Sequence, residues 1–255
     1  MNEKSVRIGS KGYLAALGSA LLGLTALSGL QLVSLPDGFI ISSVALGLFI
    51  IVNVVTAHVG GLWKELGLFW SVRKLIFFFY GTIGGLLIVA VPTGLALLSG
   101  NGTQNGIILQ TNFSVPAMGL TLIIVAWEEL WFRGIYLNYS RRYIPEVKLA
   151  AAVGVLFMLL HVLNPKIDIV HAGPTLLFAG ALLTLLYFRY RTIWVPLGVH
   201  FGNNLFGSIF KVGQSSDLFW GSDGYTTALL LCGIFLFYAL KYRGQEVLIE
   251  AEFAE

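Results

Sequence analysis

Of the 255 residues of this chain, 56% are hydrophobic and 11% are charged, whereas soluble domains carry about 25% charged residues. A soluble fold of this length could not bury so much apolar surface, so the composition indicates an integral membrane protein. The net charge of +3 comes from basic residues that flank apolar runs and form no stripe, which argues against a nucleic-acid partner. The single cysteine, Cys232, excludes an intramolecular disulfide framework.

The apolar residues fall into eight runs that predict membrane-spanning helices. Several runs are shorter than about 20 residues, which protein-lined or thinned regions of a bilayer tolerate. An amphipathic stretch at residues 61–74 is predicted to lie along the membrane interface. We therefore predict an all-α, polytopic bundle that forms a single membrane domain over residues 1–255. The predicted spans are residues 13–35, 39–58, 75–98, 116–138, 149–163, 172–188, 193–210 and 225–242.

The connections between these spans differ in their content of lysine and arginine. Basic residues flank the spans on one side, and the opposite loops, such as the uncharged residues 101–114, are poor in them. Because positively charged loops remain in the cytoplasm, both termini are predicted to be cytoplasmic. The even number of spans agrees with this topology. The basic residues on the predicted inner side are Lys4, Arg7, Lys11, Lys64, Arg73, Lys74, Arg141, Arg142, Lys148, Arg189, Arg191, Lys241 and Arg243.

The fourth span contains three charged residues, which are costly inside a bilayer and therefore call for an explanation. Glu129 and Arg133 are four residues apart, so they can pair on one side of a helix. Glu128 points about 100° away from Glu129 and has no basic residue at helical spacing. The pattern predicts a structural ion pair beside an unpaired carboxylate.

Two further spans carry polar residues at a spacing of four. The fifth contains Phe157 and His161, and the seventh contains His200 and Asn204, with Asn203 as the alternative in register. A single histidine or asparagine in such a helix often only hydrogen-bonds to a neighbouring helix, and a single phenylalanine usually only packs. Each pair alone is therefore a weak functional signal.

The depths of these residues make a stronger prediction than the residues taken singly. Counted at about 1.5 Å per residue from the predicted cytoplasmic ends, Glu128, His161 and His200 lie roughly 10–18 Å deep. A carboxylate and two imidazoles at a similar level predict a reaction centre. The remaining histidines lie at the ends of spans and are predicted to be interfacial: His58 and His171.

These groups have the chemistry needed to hydrolyse a peptide bond. A buried glutamate beside a histidine can take a proton from water, and a second histidine with an amide can donate hydrogen bonds to the developing oxyanion. No serine or cysteine is paired with them, which makes a covalent acyl-enzyme less attractive. The alternative is a zinc site formed by Glu128, His161 and His200, because two histidines and one glutamate are a known catalytic ligand set.

The three motifs occur in order on separate predicted spans: EExxxR (Glu128, Glu129, Arg133), FxxxH (Phe157, His161) and HxxxN (His200, Asn204). In this combination the sequence resembles the CAAX prenyl endopeptidase and bacteriocin-processing family, also called the CPBP or Abi family. The resemblance covers about residues 116–210, and the flanking spans match only in being hydrophobic.

The resemblance implies an all-helical intramembrane endopeptidase with a cavity that faces the cytoplasm. It implies that Glu128 is the catalytic base, helped by His161, and that His200 and Asn204 form the oxyanion site. The remaining motif residues are implied to support them. The family has been described both as metal-dependent and as glutamate-based, so the resemblance leaves a zinc cofactor open.

The resemblance also sets expectations for substrate and location. Eukaryotic relatives remove the last three residues of prenylated CaaX proteins, and many prokaryotic relatives are linked to bacteriocin maturation or self-immunity. The compact size favours a prokaryotic member. We expect a peptide or protein substrate, lipidated or unmodified, that is cut near the cytoplasmic side of the cell membrane. The alternatives are a non-enzymatic immunity or scaffold protein and a proton-coupled transporter, the latter disfavoured because no internal repeat is visible.

Overall fold

The computed structural model describes residues 51, 70–100, 107–109, 115–141, 144–162, 164, 167–212 and 224–252, and these are predominantly helical. Two short strands, β1 (Ile107–Leu109) and β2 (Phe210–Val212), pair as an antiparallel ribbon. A π-helical segment, Leu130–Tyr136, joins the second helix to the third. The α-helices are α1 (Val72–Leu98), α2 (Val115–Glu129), α3 (Leu137–Ser140), α4 (Glu146–His161), α5 (Ile169–Tyr190), α6 (Trp194–Ile209) and α7 (Tyr225–Glu252).

Polar residues fix the ends of two long helices. Ser71 precedes α1, and its hydroxyl accepts a hydrogen bond from the backbone N–H of Lys74. Asp168 precedes α5 in the same way and accepts from the backbone N–H of Val170. Such N-caps satisfy backbone donors that the first turn of a helix leaves unpaired. At its other end α5 stops at Arg191, whose φ of 49° lies in the left-handed region that ends many helices.

Helix α5 lies in the interior of the bundle. All of its residues from 180 to 188 are buried, so the helix has no solvent- or lipid-facing side along this stretch. It packs against α4 through Tyr187 and Phe188, which join a cluster with Val153 and Phe157. Its opposite contacts include α7, since Leu182 packs in a second cluster that holds residues of that helix. Any displacement of α5 would therefore disturb several helices at once.

Helices α1 and α6 run parallel and approach each other through glycine. A Cβ atom on Gly81 would lie 2.6 Å from the carbonyl oxygen of Val195, closer than real Cβ atoms approach such a group. Cβ atoms on the other three glycines of the contact would overlap backbone carbonyl groups of the facing helix. This close packing holds α6 at a fixed position along α1. The four glycines are Gly81 and Gly85 on α1, and Gly198 and Gly202 on α6.

The π-helical segment widens the helical turn immediately after Glu129. The backbone N–H of Leu137 reaches the carbonyl of Phe132, an i→i+5 hydrogen bond instead of the i→i+4 bond of an α-helix. Residues 130–134 are all buried. A regular α-helix on one side of a bundle would turn some of these residues outward, because successive residues point about 100° apart. The segment lets consecutive side chains face the interior.

Within the described residues, two helices are long and apolar enough to cross a membrane, namely α1 and α5. The apolar part of α7, Tyr225–Lys241, is shorter. Large apolar side chains on one side of α1 are exposed in the bundle, as expected for a helix that faces lipid. These side chains include Ile76, Phe79, Ile83, Leu87, Val91 and Leu95.

The helical fold predicted from the sequence is confirmed for the described part of the chain. Spans three to eight of the prediction each coincide with a helical segment. The first two spans, except for residue 51, and most of the amphipathic stretch lie outside the described residues, so the total of eight spans stays a prediction. The ribbon of β1 and β2 departs from a purely α-helical fold. It pairs residues between the predicted spans three and four with residues at the end of predicted span seven.

Candidate active site

Glu129 and Arg133 form the ion pair that their spacing predicted. Arg133 Nη1 donates to Glu129 Oε1 at 2.9 Å, and both side chains are fully buried. The guanidinium also donates from Nη2 to the carbonyl oxygen of Gly180 on α5, again at 2.9 Å. The rings of Phe132 and Phe157 lie 5.4 and 5.8 Å from the guanidinium carbon, within the range of cation–π contacts.

His200 extends this pair to a third helix. Its Nδ1 lies 2.9 Å from Glu129 Oε1. An ionised carboxylate only accepts hydrogen bonds, so Nδ1 carries the proton and donates. This contact was not predicted from the sequence. Helical spacing paired His200 with Asn204, and it paired Glu129 with Arg133 alone. In the structure one oxygen of Glu129 accepts from both Arg133 and His200.

Glu128 faces the other nitrogen of the same imidazole. His200 Nε2 lies 3.7 Å from Glu128 Oε2, which is an ion-pair distance and longer than a hydrogen bond. The absence of a basic residue at helical spacing therefore did not leave Glu128 without a neighbour, because the neighbour comes from α6. The side chain of Glu128 is 17% exposed, whereas that of Glu129 is 0% exposed. Of these two carboxylates, Glu128 is thus the more exposed one, and its Oε2, which faces His200, is itself buried.

Phe157 connects the two histidines. Its ring centroid lies 4.5 Å from that of His161 and 5.8 Å from that of His200. His161 is partly exposed, and its Nδ1 lies 2.7 Å from the backbone carbonyl oxygen of Phe157. A carbonyl only accepts, so His161 donates from Nδ1 and keeps Nε2 for another partner. The structure thereby brings His161 to the same cluster as His200.

Asn204 lies one helical turn beyond His200 on α6. It is partly buried, and its Oδ1 accepts a hydrogen bond of 3.4 Å from Asn203 Nδ2. Asn203, the alternative in register, lies on the side of α6 that faces α1, since a Cβ atom on Gly85 would approach its backbone nitrogen. The spacing therefore leaves Asn204 as the amide that shares a helix face with His200.

The other histidines and the metal alternative can be placed as well. His171 lies in the first turn of α5, where its backbone N–H donates to Asp168, and His58 lies outside the described residues. Among the residues that the structure describes, no group of three or more His, Cys, Asp or Glu side chains is arranged to hold a metal ion. The zinc set considered from the sequence, Glu128, His161 and His200, stays a prediction.

Two features that position the cluster were not predicted from the sequence: the carbonyl of Gly180 and the glycine contact between α1 and α6. The carbonyl of Gly180 belongs to a helix without a motif residue, and no sequence signal marks a backbone acceptor of this kind. The glycine pairs that hold α6 against α1 do leave a signal, since Gly81 and Gly85 as well as Gly198 and Gly202 have the G-x-x-x-G spacing of close helix contacts.

The fold and the cluster define a helical, membrane-embedded protein with a buried carboxylate–imidazole centre. Residues 110–206 match the family of Rce1-like type II CAAX prenyl endopeptidases. This match, over 97 of the 255 residues, confirms the resemblance drawn from the three motifs. The match supports a protease role in general, and with it a peptide or protein substrate. Among curated proteins, none matches this chain.

Proposed function

We propose that this chain is an intramembrane endopeptidase that hydrolyses a peptide bond near the cytoplasmic side of the membrane with water activated by Glu128. The observation that carries the proposal is the line of contacts from Arg133 through Glu129 and His200 to Glu128. Three of these side chains are buried, and the fourth, Glu128, is partly exposed. Such an order suits a reaction in which one carboxylate reacts and the other orients an imidazole.

In the proposed reaction Glu128 accepts a proton from water while the water oxygen attacks the carbonyl carbon of the scissile peptide. The resulting tetrahedral intermediate carries a negative oxygen, which accepts hydrogen bonds from Asn204 and from His200. Collapse of the intermediate breaks the C–N bond, and the departing nitrogen takes the proton from Glu128. His161, whose Nε2 is not used by its bond to Phe157, assists by orienting the water.

The role of His200 depends on its protonation. Because Nδ1–H already donates to Glu129, a neutral ring has only a lone pair at Nε2. The imidazolium form donates from both nitrogens, and it would have a carboxylate on each side. We propose that this form donates Nε2–H to the oxyanion. Glu129 and Arg133 then act as the buried support that holds the ring in place.

The direct test is peptide cleavage by the purified protein in detergent, followed by mass spectrometry. The probes are a pool of farnesylated peptides with a C-terminal CaaX sequence and the same peptides without the lipid. Glu128→Gln keeps the shape of the side chain and removes its basicity, so we expect it to abolish cleavage without unfolding the protein. Full activity of Glu128→Gln would overturn the proposed base.

A matched control makes the same chemical change elsewhere. Glu146 pairs with Arg191 at 3.0 Å at the start of α4, where the arginine is 57% exposed. Exposed pairs of this kind contribute about 0–1 kcal/mol, so Glu146→Gln should cleave like the wild type. The two peptide series decide whether the lipid is required. Wild-type protein that cleaves neither series would leave a non-enzymatic immunity or scaffold role as the better account.

A further inference from the structure

Helix α5 carries none of the three motifs, yet one of its backbone groups enters the ion-pair cluster. The carbonyl oxygen of Gly180 accepts from Arg133 Nη2 at 2.9 Å, while Nη1 of the same guanidinium donates to Glu129. The planar guanidinium presents its N–H groups in a rigid fork, so it fixes the two acceptors relative to each other. Because Arg133 is fully buried, bulk water does not compete for these bonds. The position of Glu129 thus depends on where α5 places this carbonyl.

Gly180 also sets the distance between α4 and α5. A Cβ atom at this position would lie 2.7 Å from Cβ of Phe157 and 3.1 Å from Cα of Gly154. These atoms belong to or adjoin the backbone of α4, so they cannot move aside without separating the two helices. Gly154 makes the reciprocal approach, since its Cβ atom would overlap the carbonyl of Leu177 on α5. The helix contact therefore requires glycine at position 180.

Phe157, which packs against Gly180, also contacts both histidines. The ring of Phe157 contacts the rings of His161 and His200, at 4.5 and 5.8 Å between centroids. It also lies 5.8 Å from the guanidinium carbon of Arg133. A shift of Phe157 would thus be passed to both imidazoles and to the ion pair.

We propose that Gly180 is a positioning residue for the reaction. Its carbonyl anchors Arg133 and, through it, Glu129 and His200, and its lack of a side chain seats Phe157 against the histidines. Gly180 itself touches neither substrate nor reacting atoms. The proposal rests on the endopeptidase function proposed above. A misplacement of about 1 Å in an active site can lower a rate by about 10²-fold, so a small displacement of this contact should be measurable.

The first test compares two glycine-to-alanine variants on the same helix. Gly180→Ala should lower kcat by at least about tenfold while KM changes little, because the substrate still binds but the imidazoles and Glu129 are displaced. Gly173→Ala is the control, since a Cβ atom there would meet its nearest neighbour, Met158 Sδ, at an ordinary 3.5 Å. Equal kcat values for the two variants would overturn the proposal.

The second test asks whether Gly180 acts through Arg133. Arg133→Lys keeps a positive charge near Glu129 but loses the rigid fork that spans to Gly180, so by itself it should lower kcat with little change in KM. In the double variant, kcat should then lie close to that of the slower single variant. Effects that simply multiply would show that Gly180 and Arg133 act independently, which would contradict the proposal.

The wild type, Gly180→Ala, Arg133→Lys and the double variant also provide a measurement that needs no substrate. Thermal unfolding in detergent gives the shift in Tm of each variant relative to the wild type. We expect the shift of the double variant to be smaller than the sum of the two single shifts, because both changes disrupt the same contact between Arg133 and Gly180. Additive shifts in Tm would contradict the proposal that Gly180 acts through Arg133. This result stands whether or not the wild type cleaves the peptides. Absence of cleavage with sub-additive shifts would therefore reject the proposed function and retain the role of Gly180 in fixing the cluster.

Discussion

At the scale of single residues, Arg133 is the side chain on which the cluster depends most. It is fully buried and neutralises Glu129, which is also fully buried. Arg133→Ala would leave that carboxylate without its cationic partner and would also remove the bond to Gly180. We expect a loss of about 3–5 kcal/mol in the free energy of unfolding, measured with denaturant in micelles.

The control for this loss is an arginine in an exposed pair. Arg191→Ala breaks the contact with Glu146, where the arginine side chain is 57% exposed, and should cost about 0–1 kcal/mol. If the two alanine variants unfolded at the same denaturant concentration, the buried pair would contribute no more than a surface pair.

His200 and Asn204 are expected to matter for turnover more than for folding. Replacing either by alanine should lower kcat by roughly 10²–10³ if each donates to the oxyanion. His171→Ala, in the first turn of α5, removes a histidine outside the cluster and should leave kcat unchanged. The measurement is kcat for steady-state cleavage of one peptide by the wild type and the three alanine variants. A His200→Ala protein as fast as His171→Ala would remove His200 from the mechanism.

The residue-level contacts were predictable only where one helix contains both partners. Glu129 and Arg133 are four apart, and helical spacing alone predicts their meeting. The bond between His200 and Glu129 joins residues that are 71 positions apart. Spacing within each helix shows which side chains share a face, but it does not show which faces meet across the bundle. For this reason the polar residues of each helix could be predicted to share a face, whereas the order in which they touch across the bundle could not be predicted.

At the scale of helical elements, the π-helical segment is the clearest limit of the sequence analysis. A single regular span was predicted for residues 116–138, whereas the structure has α2, the π-helical segment and α3 in succession. The inserted turn follows Glu129 directly and contains Arg133. Such turns are rare, and the spacing of residues within a helix does not mark where one is inserted. Here Arg133 in the turn reaches Gly180 on α5, and Glu129 just before it reaches His200 on α6, both later in the chain.

The contact between α1 and α6 gives a prediction at the same scale. A Cβ atom on Gly85 would overlap the backbone of Val199, whereas one on the adjacent Gly84 would meet nothing within 4 Å. Gly85→Ala should therefore lower Tm by several degrees and also lower activity, because α6 carries His200. Gly84→Ala should leave Tm unchanged or raise it slightly, since alanine favours a helix by about 0.5–1 kcal/mol over glycine. Equal Tm values would contradict the close contact.

At the scale of the whole molecule, the structure gathers basic helix ends at one end of the bundle. The salt bridge between Arg191 and Glu146 joins the end of α5 to the start of α4. The ring contact between Phe77 and Tyr190, at 5.9 Å, places the start of α1 beside the same end of α5. The sequence predicts such an alternation because each apolar run reverses the direction of the chain, and the multi-pass topology itself stays a prediction. The side of the membrane on which the basic end lies stays a prediction.

Helix α4 offers two exposed positions at its opposite ends with which that side can be determined. Lys148 is exposed at the start of the helix, near the basic end, and Val162 is exposed just beyond its other end. In a Cys232→Ala background, a cysteine at each position can be labelled with a membrane-impermeant thiol reagent. Because positively charged loops stay in the cytoplasm, Lys148→Cys should react in inverted vesicles and not in intact cells. Val162→Cys should show the reverse, unless lipid shields it on both sides, in which case it reacts in neither preparation.

Reaction of Lys148→Cys in intact cells would place the basic end outside. The cytoplasmic location of both termini and of the proposed cleavage would then be wrong.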